Sequence, residues 1–202
     1  MNGGGTLVVT RGAKLRLGDG GYSFAEPPDL LRLATTAQRL DFLKEHLQAR
    51  CELWAKAQRQ FLETYFAWIA ATLAREPARG ELTALGRGLF APLDWAFAAL
   101  RPLPNAFLPV GQTPLPMDFA FWTGAGFAGI ELVTGTVRAQ RRAELDALRQ
   151  AGIALAELAP GDLAGADALD AKLPGDLKAF WRGLALPPSP FGPRDLAIEP
   201  AG

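Results

Sequence analysis

The chain has little of what most metal and nucleophile chemistries need. Cys51 is its one cysteine, which excludes an intrachain disulfide and a cysteine metal cluster. His46 is its one histidine, which excludes a His-rich zinc site and any two-histidine mechanism. No Gly-x-Ser-x-Gly elbow occurs, and a Ser-His-Asp triad would have to use His46, for which nothing else in the sequence speaks. Net charge is also lacking: 21 acidic and 21 basic residues cancel. That argues against strong non-specific attraction to nucleic acid and leaves a local basic patch open. No run of 18 apolar residues is present, so no membrane-spanning helix is expected. Met1-Asn2-Gly3-Gly4-Gly5 lacks the basic-then-apolar start of a signal peptide, so a cytoplasmic location is the expectation.

What is present describes a folded protein. The 202 residues suit one domain with appendages, and a 49% hydrophobic content is enough to bury a real core. Residues 1–28 read as an N-terminal β-hairpin, with strand-like runs at 6–10 and 15–17 and a turn at Gly18-Asp19-Gly20-Gly21. From Asp29 to Glu76 there is no glycine or proline. Thr35 followed by Gln38 has the form of a capping box. Beyond it Leu40, Leu47, Trp54, Phe61 and Trp68 recur every seven residues, with Leu43, Cys51, Ala57 and Tyr65 between them. This is one apolar face of a helical section over 29–76. Forty helical residues would span roughly 60 Å, longer than a compact domain of this size is wide. The section therefore breaks and folds on its own core, or projects as an arm for a protein partner or a second copy.

Glu76-Pro77-Ala78-Arg79-Gly80 reads as a break, and residues 82–100 as a helical stretch interrupted at Pro92. Residues 81–160 then carry the α/β part. After Pro160 an alanine-, glycine- and proline-rich extension runs over 161–202, with a helix expected near 176–182 and a proline-rich strap at 187–193.

The informative stretch is 114–158. Asp118 opens an alternating run with Phe119-Ala120-Phe121-Trp122, and Glu131 interrupts the apolar run Gly129-Ile130-Glu131-Leu132-Val133. An unpaired charge in an apolar setting is costly, so two acids placed this way point to a metal or a catalytic role. The stretch between them contains Gly124-Ala125-Gly126-Phe127-Ala128-Gly129. A dinucleotide fingerprint needs a helix after its glycines, and a strand-like run follows here, so the glycines read as a hairpin turn. Arg138, Arg141, Arg142 and Arg149 then mark a charged helix, on which Arg141 and Glu144 are neighbours.

The order is helix, strand (105–110), strand (117–122), turn, strand (127–133), helix (137–150), strand (153–158). With Pro116-x-Asp118 and Glu131 in place, it resembles the core of the restriction-endonuclease-like PD-(D/E)XK nucleases, and most nearly their very-short-patch-repair-like branch. The resemblance covers residues 105–158. It implies an α/β fold with a small mixed sheet. It also implies magnesium or manganese between Asp118 and Glu131, where the ion would polarise a phosphate and activate a water. One position departs from the pattern. The family's lysine would stand two residues after the second acid, where this chain has Val133. Valine supplies no charge, and Arg138, Arg141 or Arg142 are the candidates to supply it from the following helix. Three functions stay open. The first is a non-cleaving or altered nuclease-like subunit that binds or assembles within nucleic-acid-related machinery. The second is an active metal-dependent endonuclease. The third is an interaction protein working through its helical section.

Overall fold

The computed structural model describes residues 6–9, 13–16, 33–51, 55–76, 78–86, 89–110, 113–123, 126–178, 180–182, 187 and 198–199. Trp54, the glycine turn at 18–21, Gly124, Ala125 and residues 188–193 of the proline-rich strap lie outside them.

The chain is mixed α/β. Its centre is a four-strand mixed sheet of β3 (Leu103–Val110), β4 (Thr113–Trp122), β5 (Phe127–Leu132) and β6 (Ala154–Leu158). Strands β3, β4 and β5 are antiparallel neighbours, and β6 lies parallel to β5. A parallel neighbour requires a crossover. Helix α4 (Ala139–Gln150) supplies it. Gly152 ends that helix at φ +83°, a left-handed geometry that favours glycine, and its N–H bonds the Arg149 carbonyl. The N-terminal pair β1 (Thr6–Val9) and β2 (Ala13–Arg16) extends the sheet beyond β3, and β7 (Ile198–Glu199) pairs with β2. The expected N-terminal strand pair is therefore present, with Thr6 facing Arg16 and Val9 facing Ala13.

The long helical section is two helices, α1 (Thr36–Gln48) and α2 (Lys56–Ala74). The capping box starts α1 as expected: the Thr35 hydroxyl accepts from the Gln38 N–H at 3.2 Å, and the Gln38 amide oxygen accepts from the Thr35 N–H at 3.1 Å. No glycine or proline marks the break at 49–55. It follows from packing, because two shorter helices can both lay an apolar face on one core. Helix α2 covers the sheet. Phe61 lies 4.5 Å from Phe119 and Tyr65 lies 5.6 Å from Phe121, centroid to centroid. Leu47, Phe61, Tyr65 and Trp68 are all at most 1% exposed. Most of the described part of the stripe, Leu43, Leu47, Cys51, Phe61, Tyr65 and Trp68, is thus buried inside the chain's own core rather than facing a partner.

Two of the aromatics over the sheet have satisfied polar ends, whereas Trp95 Nε1 and Trp122 Nε1 are buried without a hydrogen-bond partner among the described residues. Tyr65 donates to the Leu100 carbonyl at 2.6 Å, and Trp68 Nε1 donates to Asp170 at 2.8 Å. Asp170 belongs to α5 (Ala166–Lys172), a helix the alanine-rich composition concealed. The helix expected at 176–182 is instead a single 3-10 turn at Gly175–Leu177. The break expected at 76–80 is shorter than read, since α3 (Ala78–Gly86) begins within it, and Pro92 opens a 3-10 segment that runs to Ala98. Buried side chains from Leu43 to Trp181 form one cluster. Among the described residues, no helix is long and apolar enough to cross a membrane.

Candidate functional site

The two acids stand side by side because of strand register. Phe119 faces Ile130 across the β4–β5 ladder, so one further step sets Asp118 opposite Glu131. Both line a cleft of about 330 Å³, together with Ala55 and Gln58 from the start of α2, Asn105 and Phe107 from β3, and Arg141 from α4. A Cβ on Gly129 would lie 2.6 Å from Leu155 Cδ2 and 2.8 Å from Met117 Cε, so a larger residue there would require the ends of these two side chains to shift.

Every oxygen of the two carboxylates accepts a bond from a protein N–H. Asp118 Oδ1 accepts from Gln58 Nε2 and Asp118 Oδ2 accepts from the Leu132 N–H, both at 2.8 Å. Arg141 grips Glu131 through both oxygens, with Nε at 2.7 Å from Oε1 and Nη2 at 2.5 Å from Oε2. The same guanidinium donates to Glu144 Oε2 at 2.8 Å and to the Pro116 carbonyl at 2.9 Å. Its side chain is 21% exposed and that of Glu131 13%, so the pair is largely withdrawn from water. The hydrogen bond with Glu131, working against burial and with help from Glu144, raises the Arg141 pKa and keeps the group a fixed cation.

Gln58 and Asn105 belong to this site although no sequence pattern singled them out. Gln58 is 4% exposed, a polar side chain in the core, and its amide bridges Asp118 and Asn105 Oδ1, each at 2.8 Å. Asn105 is a non-glycine residue at φ +52° within a strand. Asparagine tolerates that region better than most residues, and it is a position where strain and function often coincide. Its Nδ2 donates to the Arg50 carbonyl at 3.1 Å, tying β3 to the end of α1. The signals available in the sequence were faint: a glutamine three residues before Phe61 and seven before Tyr65, at the helical spacing of the apolar stripe, and a Pro-Asn step at a strand.

The remaining candidates are placed elsewhere. Arg138 is exposed ahead of α4 and does not line the cleft. Arg142 turns to Glu157, at 2.6 Å, where Arg149 joins it at 2.5 Å. Burial pushes the Glu157 carboxyl up, but these two arginines outweigh it and hold its pKa below the ordinary value. Val133 is half-buried, and its N–H is taken by the Leu158 carbonyl at 2.8 Å. Thus one arginine of the three reaches the acids, and it binds one of them rather than standing free beside both.

Oxygen ligation by magnesium or manganese needs carboxylate lone pairs free to face the ion. Each of the four carboxylate oxygens of Asp118 and Glu131 accepts one protein N–H bond and keeps a second lone pair, but the Arg141 guanidinium, a fixed cation, already occupies the Glu131 side of the pair. Among the described residues, no group of three or more His, Cys, Asp or Glu side chains is placed to hold a metal ion. The residues as arranged do not fit a resident divalent metal. Comparison with protein families, with curated proteins and with solved structures finds no match.

Proposed function

We propose that the chain is a nuclease-like module that does not cleave, acting as a binding or assembly subunit in nucleic-acid-related machinery. The element order of residues 105–158 and the paired strand acids support the restriction-endonuclease-like scaffold. One observation carries the non-cleaving half: Glu131, the second acid, is closed off by a two-pronged bond from Arg141. An acid held this way is poorly placed to ligate an ion or orient a water. Val133 in the lysine position removes the other expected contributor. The rival reading is an active magnesium- or manganese-dependent endonuclease using Asp118 and Glu131. It would require Arg141 to leave Glu131 and another of the helix arginines to serve in the lysine's stead.

The test has two arms. Single- and double-stranded DNA and RNA are incubated with the protein and magnesium or manganese, and no cleavage is expected. Cleavage that disappears in Asp118→Ala would overturn the proposal in favour of the endonuclease. Fluorescence anisotropy with the same four nucleic acids, at about 50 mM salt where phosphate contacts are strongest, is expected to detect binding to at least one. Failure to bind any of them removes the nucleic-acid half.

A further inference from the structure

The counter-ion of the acid pair is built into the chain. Arg141 is anchored at four points: both oxygens of Glu131, the Glu144 carboxylate and the Pro116 carbonyl. Pro116 stands two residues before Asp118 on β4 and Glu131 stands on β5, so the one guanidinium joins α4 to both strands of the hairpin. Nε and Nη2 engage a single carboxylate in the planar fork that arginine matches and a lysine or a spherical ion does not. Glu144 adds a second negative charge on the same group. A tethered cation of this kind needs no capture from solution.

We infer that Arg141 is the resident counter-ion of this site, neutralising Glu131 in the place where a diffusible divalent cation would otherwise be required. This rests on reading Asp118 and Glu131 as the acid pair of a nuclease-like core. The fold is then indifferent to divalent metal as long as Arg141 holds Glu131. Removing the guanidinium leaves Glu131, largely buried, without its partner. Breaking such a pair from one side is far more damaging than replacing both partners by neutral groups.

Two measurements on the full chain test this. Manganese is titrated onto the wild-type protein and followed by electron paramagnetic resonance, with melting curves recorded in manganese and in a chelator. No stoichiometric binding and no shift in Tm are expected. Stoichiometric manganese binding by the wild type overturns the inference. In the second measurement, Arg141→Met is expected to lower Tm by several degrees, and Arg141→Met with Glu131→Gln to recover part of that loss. Equal melting of the single and double variants overturns it as well. Should Arg141→Met not fold while the double variant does, the same asymmetry is seen in its extreme form and supports the inference. Should neither fold, the manganese titration decides. Nuclease activity is read separately: manganese bound without cleavage overturns this inference alone, and cleavage overturns the proposal beneath it.

Discussion

Asp118 separates a structural acid from a catalytic one. A carboxylate kept for catalysis is commonly a burden on stability, and its removal is neutral or stabilising. Asp118 is instead half-buried and accepts two hydrogen bonds, one from a backbone N–H and one from the buried Gln58 amide. Replacing it by alanine leaves both donors without their acceptor. Each hydrogen bond to a charged group contributes about 1.5–3 kcal/mol when buried. Partial exposure of Asp118 puts each near the lower end, so Asp118→Ala should cost about 2–4 kcal/mol in total. For a chain of this length that is a fall in Tm on the order of 5–15 °C. Asp118→Asn keeps one acceptor oxygen but turns an NH₂ towards one of the two donors, and it should cost about half as much. Urea unfolding of wild type and both variants, monitored by circular dichroism, gives the values directly. If Asp118→Ala is as stable as wild type or more so, the bonds to Gln58 and Leu132 are not holding the fold together, and the claim that Asp118 is committed to structure is wrong.

Two further outcomes follow from individual side chains. Asn105→Ala and Asn105→Gly both lose the bonds to Gln58 and Arg50, but only alanine strains at φ +52°, so the alanine variant should be less stable by about 1 kcal/mol; equal stability in denaturant would show that the left-handed geometry carries no penalty. His46 stacks against Phe42, and its Nε2 is buried without a hydrogen-bond partner among the described residues. Burial first, and Arg50 second, lower its pKa from 6.5. The unfolded chain therefore binds the proton before the folded one, and stability should fall as pH drops below about 6.5 towards the folded value. His46→Phe should remove that part of the acid sensitivity, which thermal melts between about pH 7 and 5 would detect.

Much of the fold was legible because its signals are local. Thr35 and Gln38 form their capping box from neighbouring residues, and Gly152 marks a helix end by a geometry few other residues accept. The strands β4 and β5 followed from alternation and a glycine turn. The failures have a common cause. The helix break at 49–55 has no breaker residue, because it is set by what the two apolar faces pack against. Helix α5 is short and rich in small residues, so its pattern is weak, and its place depends on Trp68 reaching Asp170 from far along the chain. Gln58 and Asn105 carry no motif, since their importance lies in which atoms meet them in space.

Reading along the chain was enough to find the two acids, the strands that carry them and the arginines of the next helix, because composition and spacing are written there. Tertiary structure alone decided which arginine arrives and what it does. Arg138, Arg141 and Arg142 all lie within one helical turn or so, and their different fates turn on the direction in which each leaves the chain: Arg138 is exposed, Arg142 meets Glu157, and Arg141 closes on Glu131. A side chain's direction from a helix changes by about 100° per residue. A one-position difference that spacing cannot resolve therefore becomes the difference between a free carboxylate and a neutralised one.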